Sequence, residues 1–99
     1  MKTFKDLQFQ PHPNSSLEGG VQAKMFFPNG YGVSVVRFKV LGTYASYTNN
    51  EDEWEMAILK GNDSKFEICF DTPITSDVLG YLSDDEVSEI MKRVQKLPK

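Results

Sequence analysis

The chain has 99 residues, of which 39% are hydrophobic and 25% charged, with a formal net charge of −3. That length holds one hydrophobic core and leaves little room for a deep active-site cleft, and no low-complexity run departs from a folded globular composition. The Lys and Arg residues are not clustered, which argues against a phosphate-binding surface and so against direct nucleic-acid binding.

Residues 1–50 carry five Lys/Arg against two acids, and residues 51–99 carry six against twelve, which hints at a surface of two signs. Cys69 is the one cysteine, so neither an intrachain disulfide nor a Cys-based zinc site is expected. Met1 to Gln10 lacks the apolar segment of a signal peptide, and no apolar run reaches the length of a membrane span. We therefore expect one cytoplasmic domain over residues 1–99, with no membrane association.

Residues 1–20 read as a loosely structured segment. Phe4, Leu7 and Phe9 offer apolar contacts, with Leu7 to Gln10 extended. Pro11-His12-Pro13-Asn14-Ser15-Ser16 then imposes an extended or turning path, and Gly19-Gly20 closes it as a joint. The sheet is expected over residues 21–70. Val21 to Phe27 alternates, Pro28-Asn29-Gly30 is a turn signal, and Tyr31 to Val40 follows at once, which predicts an antiparallel hairpin.

In the second strand Ser34, Val36, Phe38 and Val40 share one face and Val33, Val35, Arg37 and Lys39 the other. Its first half is apolar on both sides, as in a central strand. Gly42 to Asp52 is a polar loop or hairpin arm. Trp54, Met56 and Ile58 alternate in a third strand, and Phe66, Ile68 and Phe70 in a fourth after the Lys60–Ser64 turn.

Thr75 to Leu82 reads as a short helical turn interrupted at Gly80. Ser83-Asp84-Asp85-Glu86 is a capping box, with Leu82 and Val87 as its hydrophobic staple. Val87, Ile90, Met91, Val94 and Leu97 form an apolar stripe that predicts a helix over residues 83–97. The expected fold class is α+β: an antiparallel β-meander of about four strands with one C-terminal α-helix packed on one face.

No catalytic constellation emerges, so the chain reads as a non-enzyme without cofactor or metal. His12 lies between prolines without an orienting acid, and Cys69 sits between Ile68 and Phe70 with only acids near it. The acidic runs Glu51-Asp52-Glu53-x-Glu55 and Asp84-Asp85-Glu86 lack the spacing of a calcium loop. Gly30-Tyr31-Gly32 leads into a strand rather than a helix, which is wrong for a phosphate loop. Candidate binding residues are Tyr31, at the hairpin tip, and Arg37. The polar loop adds Tyr44, Tyr47, Asn49 and Asn50, where tyrosine and asparagine combine contact area with adaptable hydrogen bonds. Trp54 fits either a hot-spot anchor or, on its alternation, the core.

Three stretches in order carry a resemblance: Phe27-Pro28-Asn29-Gly30-Tyr31-Gly32-Val33-Ser34-Val35-Val36, then Glu55-Met56-Ala57-Ile58-Leu59, then Cys69-Phe70-Asp71-Thr72-Pro73-Ile74-Thr75-x-Asp77-Val78-x-Gly80-Tyr81-Leu82. Together they resemble a group of small accessory proteins encoded by tailed phages and prophages, over roughly residues 9 to 97. The group brings no residue-level roles with it. The resemblance implies a setting, an infected bacterial cytoplasm, where such proteins often bind and inhibit or redirect a host factor. The leading expectation is a non-enzymatic interaction protein with a host protein as partner, such as an inhibitor of a host defence or regulatory protein. A small-ligand binder sequestering a nucleotide signal, and a minor structural or assembly protein, stay open beside it, as does a homodimer through a free sheet edge.

Overall fold

The structure, a computed structural model, describes residues 1–14 and 18–98. Ser15 and Ser16, the end of the expected turning path, lie outside the described residues, as do Leu17 and Lys99. The strands are β1 (Gln10–Pro11), β2 (Glu18–Phe26), β3 (Tyr31–Val40), β4 (Thr43–Tyr44), β5 (Trp54–Asn62), β6 (Lys65–Ile68) and β7 (Leu79–Leu82). A helix, α1 (Asp84–Gln95), follows. All pairings are antiparallel, in the order β1-β2-β3-β5-β6, with β4 on β3 and β7 on β5.

The α+β class, the antiparallel sheet and the packed helix agree with expectation, but among the described residues the sheet has seven strands where about four were expected. The four expected strands are β2, β3, β5 and β6. The other three are two to four residues long, too short to show a period. β4 takes the stretch of β3 beyond the reach of β5, and β7 takes the stretch of β5 that β6 leaves. The helical turn expected over Thr75–Leu82 is corrected by β7. Leu82 pairs with Trp54 and Leu79 with Met56 across an irregular register, so the free edge of β5 draws this stretch into a strand even though Tyr81 within it takes a positive φ of 56°.

Turn chemistry fixes the β2–β3 register. Gly30 takes φ of +87° in the Asn29-Gly30 turn, and the Phe27 and Tyr31 backbones bond across it at 2.8 Å. The register that follows pairs Ala23 with Val35 and Met25 with Val33, which sends all four toward the helix. There they join Phe27, Trp54, Met56, Ile58, Leu82 and the α1 residues Val87, Met91 and Val94 in one core. Each fully buried aliphatic side chain of this kind stabilises the fold by about 1.5–3 kcal/mol.

Both ends of α1 are closed by side chains. The Ser83 hydroxyl accepts from Glu86 N–H at 3.2 Å, and the Glu86 carboxylate accepts from Ser83 N–H at 3.0 Å, completing the predicted capping box. At the other end Asn29, from the β2–β3 turn, donates its amide to the carbonyls of Val94 (2.9 Å) and Leu97 (3.0 Å) and accepts from Tyr31 N–H at 3.1 Å. One side chain thus ties the hairpin tip to the end of the helix, where carbonyls lack intrahelical partners. Asn29→Ala is expected to cost about 1–3 kcal/mol in urea unfolding, and Asn29→Asp, which sets a carboxylate against the Val94 and Leu97 carbonyls at the negative end of the helix, should cost at least as much.

The N-terminal segment runs over the helix. Lys2 and Gln95 exchange two hydrogen bonds (3.0 and 2.7 Å), and Phe4 N–H donates to the Ser88 hydroxyl at 3.0 Å. A 3-10 turn at Phe4–Asp6 then leads to Leu7, which is buried, and to Phe9, whose ring stacks on Trp54 at 4.5 Å.

Candidate functional site

β3 and the loop after it build a charged and aromatic cluster. Arg37 and Lys39 project from the same side of β3 as Val33 and Val35, by the alternation of a strand. The tight turn at Leu41-Gly42, both with positive φ (52° and 78°), returns the chain so that Tyr44 pairs with Lys39. Arg37 lays its guanidinium over the Trp54 ring, 4.2 Å from the centroid, and its Nε lies 3.2 Å from the Glu51 carboxylate. Its Nη1 also donates to the Glu51 carbonyl. The Tyr44 hydroxyl donates to the same carboxylate at 2.6 Å, and Lys39 Nζ is 3.9 Å from it and 4.7 Å over the Tyr44 ring.

Glu51 therefore answers both cations. The Tyr44 hydrogen bond, then Arg37 and Lys39, hold its carboxyl below the usual range, and the same bond pushes the Tyr44 phenol up. The cavity among these residues is about 90 Å³, room for roughly three waters. The arrangement latches the 41–53 loop to β3 more than it offers a binding pocket. Because the folded-state carboxyl is lowered, the latch is complete above the ordinary carboxylate range and lost as pH falls through the lowered value. A melting-temperature gap between wild type and Glu51→Gln is expected at neutral pH; it should shrink as pH falls through the ordinary carboxylate range and close once pH passes below the lowered value. A gap that survives strong acid would disprove the ionic latch. The effect is small, since the pair is solvent-exposed and screened.

The other candidates are scattered. Tyr47 stacks on Tyr81 (6.4 Å, 21° between rings), and its carbonyl accepts from Tyr81 N–H at 2.8 Å, which covers the outer edge of β7. Asn49 N–H donates to Glu53 at 2.7 Å, and the Asn50 side chain accepts from Asp52 N–H at 2.8 Å, so both serve loop geometry. Tyr31 lies at the far end of β3, with Lys60 Nζ 5.8 Å from its ring centroid. Trp54 is a core residue, 7% exposed, with its indole N–H donating to Asp84 at 2.9 Å. Of the predicted residues the fold brings together Arg37, Tyr44 and Trp54, and leaves Tyr31 apart.

Cys69 is buried, and its thiol donates to the Asp71 carboxylate at 3.0 Å. Burial first, and that bond second, push the thiol up, away from the reactive thiolate. Among the described residues no three His, Cys, Asp or Glu side chains converge on a metal position, and no helix is long and apolar enough to cross a membrane.

The larger feature is the sheet face turned away from α1. Strand alternation places Val36 and Phe38, Ala57 and Leu59, and Phe66 and Ile68 there. They line a concavity of about 360 Å³, with His12, Lys24 and Glu55 among its polar margins. Val36 and Leu59 form its floor at 7% and 2% exposure although no helix covers them. Phe66 and Ile68 stand at the side, 41% and 48% exposed. Lys24 Nζ lies 4.6 Å over the Phe66 ring, and Phe26 reaches that ring at 5.4 Å by crossing Gly32. No single residue announced this surface. The signal was the strand that is apolar on both sides, when one helix can cover only one of them.

The chain matches no protein-family model, no curated protein and no solved structure.

Proposed function

We propose that the protein is a non-enzymatic interaction module, a phage-type accessory protein that binds a host protein, inhibiting a defence or regulatory factor, through the uncovered sheet face. One observation carries this reading: on this face Val36, Phe38, Ala57 and Leu59 are interspersed with the Gln22–Ser34 hydrogen bond and Glu55, and Phe66 and Ile68 stand exposed at the side. Exposed large apolar side chains among hydrogen-bonding groups are what a protein-binding patch presents. The nucleotide-binding alternative draws less support, because the Arg37–Tyr44 cluster encloses about 90 Å³ and ligand pockets run to several hundred.

The test is affinity capture from infected bacterial lysates with three baits: wild type, Ile68→Glu on the proposed face, and Glu51→Gln away from it. The expected result is a host protein enriched by the wild type and Glu51→Gln and lost with Ile68→Glu. No enriched protein, or enrichment indifferent to Ile68→Glu, overturns the reading.

A further inference from the structure

We propose that a second copy of this chain pairs with the outer edge of β6, antiparallel and two-fold symmetric, with Phe66 of each copy at the centre. β6 ends the strand order, and all four of its residues are exposed. Its hydrogen-bonding direction follows from the ladder. Cys69 N–H donates to the Ile58 carbonyl at 2.8 Å, so Cys69, Glu67 and Lys65 turn their backbone groups inward to β5. Antiparallel alternation then sends the N–H and C=O of Phe66 and Ile68 outward. This edge has no proline and no bulge, two common devices that block strand addition.

The side chains select the register. A two-fold axis normal to the sheet puts equivalent faces of the two copies on the same side, so only residues of equal parity can oppose each other. Centring on Glu67 would set it against the partner's Glu67, a like-charge pair. Centring on Phe66 sets Phe66 against the partner's Phe66, Lys65 against the partner's Glu67, and Glu67 against the partner's Lys65. Two opposite-charge pairs then flank one aromatic pair. Charges that merely guarded an edge would protect best with one sign; here the signs alternate, which makes the strand complementary to itself. The pairing would also join the two apolar faces across the axis. It does not depend on the host-partner reading, and its test contains no other protein.

Sedimentation of the purified chain over a range of concentrations is expected to show a monomer–dimer equilibrium, weak because the strand is short. Lys65→Glu and Glu67→Lys each create two like-charge pairs, and each is expected to weaken the dimer about tenfold or more. An equimolar mixture of these two variants restores both opposite-charge pairs and is expected to form a heterodimer. The double variant K65E/E67K should dimerise as the wild type does. Both positions are exposed, and circular dichroism confirms that each variant is folded. A wild type that stays monomeric, a dimer indifferent to the single reversals, or a mixture that fails to associate overturns the proposal.

Discussion

Trp54→Ala is expected to lower the unfolding free energy by about 3–5 kcal/mol, the largest loss from any single side chain of this sheet. The indole is the point where three segments meet. Phe9 stacks on it at 4.5 Å and Phe4 at 5.5 Å, which holds the N-terminal segment. Arg37 covers it from β3, and the indole N–H donates to Asp84 in the first turn of α1. Alanine would leave a cavity under these rings and an Arg37 without its platform. Trp54→Phe separates the contributions: it keeps most of the packing and loses the bond to Asp84, with an expected cost of about 1.5–3 kcal/mol. Since this is the one tryptophan of the chain, unfolding is best followed by circular dichroism in urea. Equal costs for the two variants would mean that the hydrogen bond, and not the ring packing, carries the site.

Gly61→Ala is expected to cost about 2–5 kcal/mol, as backbone strain plus overpacking. Gly61 has φ of +130°, a region essentially reserved for glycine. A Cβ there would collide with the Lys65 carbonyl oxygen and lie 2.9 Å from the Phe66 Cα. Both obstacles are backbone of the paired strand, so relief requires β6 to move off β5. Loss should appear locally as well as globally, through faster hydrogen exchange at Lys65, Glu67 and Cys69 and faster alkylation of the Cys69 thiol. Gly30→Ala is the control. Its φ is +87°, but nothing lies within 4 Å of the added carbon, so it carries strain alone. If the two substitutions cost the same, the collision argument fails.

The two hairpin-forming pairs and the helix were legible because their signals are local. A two-residue period, an Asn-Gly turn and a capping box each act within a few neighbouring residues. Asn29 shows the limit of such reading. Its place in a turn is plain from Pro28-Asn29-Gly30, while its role as a clamp on the end of α1 depends on residues 65 and 68 positions away. The same holds for Phe66 and Ile68. Their alternation with Glu67 says that they share a face, but which face depends on the register with β5, which sends Ile58 to the core and Leu59 to the opposite side.

The sequence by itself determined the α+β class, the strands β2, β3, β5 and β6, and the helix with its cap. Tertiary structure alone decided that Leu79–Leu82 is a strand, that Arg37 and Tyr44 spend themselves on Glu51, and that an apolar sheet face is left uncovered. The reason is physical. Periodicity and capping are properties of a segment, whereas an open edge, a salt-bridged latch and an uncovered face arise only when segments compete for the same neighbours.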